Sequence, residues 1–407
     1  MGERYVILGG ARTPMTEWIG GKTGTGEKGG KLADVSAIDL GAVAAKGALE
    51  KAGVAADKIE HVVMGNALQT SGDAIYGARH VALKAGVPLE VPALTVNRLC
   101  GSGIQAVIDG AYLIRDGASY TLCGGMESMS QAPHVIRGGR SGLRLGNGKL
   151  EDLLFESLHD SFCNMLMAQT AEKLAVDRGI TREEQDAFAL RSVERGEKAI
   201  ESGRFAEEIV PVEIKTRKGP VTIDTDDHLF LGATMEGLAK LRPAFGKDGY
   251  VTAGNASGIV DGAACLVVAD HAAAERDGHK PLSEVIAWHT VGVEPEIMGI
   301  GPVTAIRGLL ERTNMTLDDI DLFEINEAFA AQYIAVEKEL GLDRDKVNPN
   351  GGAIALGHPL GATGARLLLT LSIELNRTGK RFGIASACIG GGQGIAMLIE
   401  RVAKTNR

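Results

Sequence analysis

Four side chains of this 407-residue chain sit in settings where their chemistry can be used. Cys100 opens Cys100-Gly101-Ser102-Gly103, between the apolar run Val91 to Val96 and the helical run Ile104 to Ile114. A cysteine at a strand-to-helix turn faces the positive end of the helix dipole, which predicts a lowered pKa and a larger thiolate fraction. The flanking glycines predict a sharp turn and close approach of a substrate. His358 lies in Gly357-His358-Pro359-Leu360-Gly361, on a backbone bare enough to present it to whatever lies above, and an ordinary imidazole pKa suits a base that takes a thiol proton. Cys388 precedes Gly390-Gly391-Gly392, and a second thiol there can pass a proton to or from carbon while the glycine N–H groups face a developing oxyanion. Asn326, in Glu324-Ile325-Asn326-Glu327-Ala328-Phe329-Ala330, can hold a water or an oxyanion. Each residue also has a plainer reading: a buried thiol for Cys100 and Cys388, a turn histidine for His358, and a helix N-cap for Asn326. Cys123 reads as a buried strand residue, and Cys163 and Cys265 have no chemical context.

The elements around these residues alternate between short apolar runs and helical stretches, which predicts an α/β architecture. Tyr5 to Leu8 reads as a first strand. Ser36 with Asp39 opens a helix that Gly53 ends, and His61 to Gly65 reads as a buried strand. Residues 128–252 carry more charge and fewer βα units. They include a helix opened by the capping box Thr181/Glu184 and ended by Gly203. This predicts an N-terminal half of residues 1–127, an inserted loop or cap domain at 128–252, a return to the first half at 253–280, and a second half at 281–407. The two Cys-Gly runs, each next to an apolar run, suggest that the halves are related. Gly20 to Gly30 reads as a flexible surface loop.

Composition narrows the class. Apolar residues make up 44% and charged residues 23% of the chain, as in an ordinary globular enzyme. The net charge of −9 argues against a nucleic-acid partner. No apolar run is long enough to span a bilayer, and no targeting signal is visible. Five cysteines without zinc or C-x-x-C spacing, and histidines without ligand spacing, predict no metal and a reducing, cytoplasmic setting.

Taken together, the motifs resemble those of the thiolases, and most closely the 3-ketoacyl-CoA thiolases, along nearly the whole chain. The segments that carry the resemblance are Asn97-Arg98-Leu99-Cys100-Gly101-Ser102-Gly103, Gly124-Gly125-Met126-Glu127-Ser128-Met129-Ser130, Asn255-Ala256-Ser257-Gly258, Asn326-Glu327-Ala328-Phe329-Ala330, Asn350-Gly351-Gly352-Ala353 through Gly357-His358-Pro359, and Cys388-Ile389-Gly390-Gly391-Gly392. The resemblance implies duplicated α/β halves in five α-β-α-β-α layers with an inserted loop domain. It implies no permanently bound cofactor, coenzyme A and acyl-CoA as substrates, and a homodimer or homotetramer, with Ser141 to Leu150 as the tetramer-forming loop. It also implies that Cys100 carries the acyl group, that His358 activates Cys100, and that Cys388 protonates the leaving enolate. One oxyanion hole would combine His358 with a water on Asn326, and the other the N–H groups of Cys100 and Gly390. Ser257, Phe245, Met167 and Phe329 would line the coenzyme A channel. Two positions depart from the family pattern. Leu166 stands where many biosynthetic thiolases have histidine, which favours a degradative acyl pocket. Phe230 stands where many have an arginine near the nucleotide, leaving Lys215, Arg217 and Lys218 as nearby cations. The competing readings are an acetoacetyl-CoA-specific biosynthetic thiolase, a decarboxylating ketoacyl synthase, a Cys-His-Asn hydrolase, and a lipid carrier on the same fold.

Overall fold

Runs of β-branched and small apolar residues form the strands. The computed structural model describes residues 4–20, 29–246 and 248–402, so most of the Gly20 to Gly30 loop lies outside the described residues. In the first half the strands are β1 (Tyr5–Arg12), β2 (His61–Gly65), β3 (Ala93–Val96), β4 (Tyr120–Glu127) and β5 (Val260–Asp270). In the second half they are β6 (Ser283–Gly292), β7 (Leu322–Ile325), β8 (Phe382–Ile389) and β9 (Gln393–Arg401). They hydrogen-bond in the order β7-β8-β9-β6-β1-β5-β4-β2-β3, and Thr16–Glu17 pairs separately with β5.

The duplication suggested by the sequence is visible in this order. In the first half, β2 runs parallel to both β3 and β4, then β5 and β1 follow antiparallel. In the second half, β7 runs parallel to β8 and makes a parallel bridge to Val347, then β9 and β6 follow antiparallel. The halves join where β1 pairs with β6, Tyr5 opposite Val285. The two Cys-Gly runs, however, are not equivalent. Cys100 follows β3 and leads into a helix, whereas Cys388 lies within β8 and its glycines turn into β9. The helix that matches the one after Cys100 is the one after His358.

The helices used below are α1 (Ala37–Ala52), α2 (Gly77–Lys84), α3 (Ser102–Arg115), α4 (Met167–Asp177), α5 (Arg182–Glu201), α6 (Gly301–Thr313), α7 (Ala330–Leu340) and α8 (Leu360–Thr378). They make the five layers. Ile104 and Val107 of α3 share one buried cluster with Leu367 and Leu371 of α8, between Val63 and Val268 of one half-sheet and Ala385 and Met397 of the other. Helices α1 and α2 cover the outer face of the first half, and α4, α6 and α7 that of the second. Local signals place the ends. The Ser36 side chain accepts the Asp39 N–H, and Gly53 closes α1 at φ 65°. Thr181 and Glu184 cap α5 reciprocally.

The glycines after Cys100 have a different reason from the one expected. A Cβ on Gly103 would stand 2.3 Å from the Ala365 nitrogen, and one on Gly364 would stand 2.3 Å from the Ile104 nitrogen. Helices α3 and α8 therefore cross backbone to backbone, and Gly101 packs on Ile389. Between β4 and β5, among the described residues, no strand joins the main sheet. That stretch holds α4, α5 and short hairpins.

Candidate active site

The sharp turn at Cys100 comes from Leu99, which holds a left-handed φ of 46°, a conformation that costs a non-glycine residue strain and that the surroundings must enforce. Three hydrogen bonds enforce it. The Leu99 N–H donates to Asn97 Oδ1 at 2.9 Å. The Ser102 hydroxyl donates to the Leu99 carbonyl at 2.7 Å and accepts the Arg98 N–H at 2.8 Å. Cys100 is thus presented from a braced 3-10 turn ahead of α3.

The expected lowering of its pKa is overturned. Burial pushes the Cys100 thiol up to about 11, and the N–H groups of Gly390 and of Cys100 itself, both favouring the thiolate, offset only part of this. Desolvation by the apolar wall outweighs the helix terminus. The same holds for His358, which burial and then the charge of Arg366 push down to about 3, where ordinary imidazole chemistry had been expected. At neutral pH the pair therefore rests as thiol and neutral imidazole.

The imidazole is oriented by its neighbours. Asn326 Nδ2 lies 3.3 Å from His358 Nε2, and an amide nitrogen is a donor, so Nε2 is the acceptor. Nδ1 then carries the hydrogen and donates to Thr363 Oγ1 at 2.6 Å, which in turn donates to the Pro359 carbonyl at 3.1 Å. With Nδ1–H held by Thr363, His358 keeps its lone pair on Nε2, the nitrogen available to a base, and here that lone pair faces Asn326 Nδ2. Asn326 is not a helix N-cap, since α7 begins only at Ala330. Its N–H continues the strand pairing to the Ser386 carbonyl at 2.9 Å, while its Oδ1 is buried without a hydrogen-bond partner in the structure.

Cys388 is fully buried at the end of β8, against Met167, Met298, Ala328 and Phe329. Burial, and then the neighbouring Cys100, hold its thiol well above the usual range. A cavity of about 280 Å³ opens beside these residues, lined by Leu99, Cys100, Leu158, Met167, Ser257, Met298, Phe329, His358 and Gly390 among others. Cys388 and Asn326 stand behind this wall. The Ser257 N–H donates to the Ala328 carbonyl at 3.0 Å, which fixes that residue on the rim.

Two expected lining residues are not on the wall. Leu166 pairs with His159 in the short hairpin ahead of α4, and its N–H is held by Gln169. Its neighbours Leu158 and Met167 face the cavity instead. Phe245 packs half-buried against the core of the second half. Phe230 sets its ring against the edge of His228. Lys215, Arg217 and Lys218 belong to the hairpin Val212–Ile223, whose apolar residues join the buried cluster of the first half, and none of the three lines the cavity. Met298, Leu99 and Leu158 were not expected, since none carries a chemical signature in the sequence.

The chain agrees with what comparison shows. The thiolase N-terminal domain model matches residues 6–272 and the thiolase C-terminal domain model matches residues 279–401. A human 3-ketoacyl-CoA thiolase, mitochondrial, is 50% identical over 94% of this chain and 97% of its own length. An acetyl-CoA acetyltransferase of Cupriavidus necator is 49% identical over 93% of this chain and 97% of its own. The crystal structure of the human mitochondrial 3-ketoacyl-CoA thiolase in complex with CoA superposes with a TM-score of 0.93 at 47% identity, covering 98% of each chain. The chain belongs to the thiolase family of acyltransferases.

The resting protonation state has a measurable consequence. Alkylation of Cys100 by iodoacetamide should accelerate as pH rises through the neutral range and beyond, by about tenfold per pH unit, because the thiolate fraction is still growing below the raised pKa. A rate that levels off near neutrality would show a preformed thiolate–imidazolium pair and would contradict this reading.

Proposed function

We propose that the protein is a 3-ketoacyl-CoA thiolase, cleaving a 3-ketoacyl-CoA with coenzyme A through an acyl group on Cys100. The observation that carries this is the meeting of Cys100, Gly390 and His358 on one apolar cavity, with a second thiol, Cys388, neighbouring Cys100 behind its wall. His358 Nε2 takes the Cys100 proton as the sulfur attacks the 3-keto carbon. The C2–C3 bond breaks, and its electron pair passes into the enolate of acetyl-CoA. Cys388 gives its proton to C2, and acetyl-CoA leaves. Coenzyme A attacks the acyl-cysteine, its thiol proton goes to the Cys388 thiolate, and the released Cys100 sulfur recovers its proton from His358. The N–H groups of Cys100 and Gly390 serve the oxyanion on the acyl carbon. The protonated His358 and a water held by Asn326 serve the enolate oxygen, and each such donor is worth about 2.7–4 kcal/mol of barrier.

Ser257, Met167 and Phe329 are the coenzyme A and pantetheine contacts this reading favours, because they line the cavity. The wall residues Leu158, Met167 and Met298, in place of Leu166, set the acyl chain length. Residues 1–127 with 253–280 are one half, 128–252 the inserted domain, and 281–407 the other half. A homodimer through the free edge of β3 is supported by the exposure of Ile75, Tyr76, Leu89 and Leu94 beside it. Leu143, Leu145 and Leu150, exposed on 141–150, support a tetramer contact. No helix among the described residues is long and apolar enough to cross a membrane. The cysteines are all unpaired, which fits the cytoplasm.

The test is thiolysis with coenzyme A and either acetoacetyl-CoA or a medium-chain 3-ketoacyl-CoA. The expected result is coenzyme A-dependent release of acetyl-CoA from at least one of them, and the preferred chain length separates the degradative from the biosynthetic reading. Folded protein that turns over neither substrate would sink the proposal and favour a carrier.

A further inference from the structure

The segment that carries His358 is attached at both ends to buried carboxylates that the reaction itself does not use. At its start, Glu327 Oε2 accepts the Ile354 N–H at 3.3 Å and the Ser192 hydroxyl at 2.6 Å, and the same hydroxyl accepts the Gly352 N–H at 3.1 Å. Glu327 Oε1 accepts Asn348 Nδ2 at 2.8 Å. A Cβ on Gly352 would stand 2.2 Å from the Glu327 carboxyl carbon, so only glycine lets the chain come this close. At its end, Glu127 Oε2 accepts the Gly361 N–H at 2.8 Å and the Ala67 N–H at 3.1 Å. Its Oε1 accepts the Leu68 N–H at 2.9 Å and Asn66 Nδ2 at 2.8 Å. The backbones are locked there too, since a Cβ on Gly125 would stand 1.8 Å from the Gly361 carbonyl oxygen.

Glu127 belongs to the first half, which supplies Cys100, and Glu327 to the second, which supplies His358. Both are almost completely buried. Burying a carboxyl is costly unless donors compensate it, and here the donors include one backbone N–H on either side of the catalytic histidine, those of Ile354 and Gly361. We propose that Glu127 and Glu327 are positioning residues that hold the His358 segment at its two ends and so fix the imidazole against Cys100. This rests on the thiolase reading. A base must lie within hydrogen-bond reach of its proton, and misplacement by about 1 Å costs about a hundredfold.

The test uses the full chain, with Glu127→Gln and with Ser192→Ala, which removes only a hydroxyl of α5 outside the cavity. Acetoacetyl-CoA thiolysis, iodoacetamide alkylation of Cys100 near neutral pH and thermal melting are measured for each. The expected result is a fall in kcat of about a hundredfold for Glu127→Gln and about tenfold for Ser192→Ala, with KM within about twofold of the unmodified protein. Either folded variant keeping kcat within about twofold, or losing kcat only together with a matching rise in KM, would overturn the proposal. If Glu127→Gln does not melt cooperatively, Ser192→Ala decides alone. If the unmodified protein turns nothing over, the thiolase reading has failed separately, and alkylation decides. Slower Cys100 alkylation in Ser192→Ala then supports the clamp, and an unchanged rate overturns it.

Discussion

We expect Cys100→Ala to lower kcat for thiolysis by about ten-thousandfold or more, roughly 5–6 kcal/mol of barrier. Among the described residues, Cys100 is the one cysteine that lines the cavity. Cys388 lies behind the wall with its thiol held well above the usual range. His358 remains, but a base without its nucleophile offers water only a poorly placed start. The substitution removes a partly enclosed sulfur and leaves the brace at Leu99, Asn97 and Ser102 intact, so the melting temperature should change little. Substrate affinity should also survive, and KM or direct binding of acyl-CoA would show it. Steady-state assays beside a melting curve check both halves of this expectation. Residual activity within about a hundredfold would mean that a different group carries the acyl chain.

The second large effect is at Cys388, where the expected result separates two half-reactions. Cys388→Ala should slow C–C cleavage by about a thousandfold, within the range for loss of general acid–base catalysis, because Cys388 is the proposed proton donor to C2 while the protonated His358 is engaged with the enolate oxygen. Alkylation of Cys100 should stay within about threefold of the unmodified rate, since Cys388 is no part of the His358–Asn326–Thr363 arrangement that serves Cys100. A Cys-His-Asn hydrolase would give the opposite outcome, with turnover untouched by the change. Measuring cleavage and alkylation on the same preparation distinguishes the two.

Much of this site was legible in the sequence because its chemistry rests on residue types that stand out locally. A thiol before Gly-Ser-Gly, a histidine among glycines and a thiol before three glycines each point to themselves, and the structure brings all three together. The strand and helix signals at Ser36, Gly53, His61 to Gly65 and Thr181 also agree with the structure, because caps and short apolar runs are local. What failed was what depends on packing. The Cys100 shift has the opposite sign from a helix-terminus argument and His358 falls below the ordinary imidazole range, because burial is set by residues distant in sequence such as Met167 and Met298. The glycines after Cys100 were read as substrate clearance, yet they let α3 and α8 touch. Leu166 was placed in the acyl pocket by its position in a motif, but the hairpin turns its neighbours inward instead. Glu127 sat within a quoted motif without a role, and only the hydrogen bonds from Ala67, Leu68 and Gly361 reveal one.

The central claim is the acyl-cysteine, and intact-mass analysis of quenched reactions tests it most directly. Protein mixed with a 3-ketoacyl-CoA, without free coenzyme A, should gain the mass of the shortened acyl group, located by peptide mapping on Cys100 and discharged when coenzyme A is added. The adduct should be absent from Cys100→Ala. Coenzyme A-dependent turnover with no adduct on Cys100 at any quench time, or an adduct on Cys388 instead, would contradict the account.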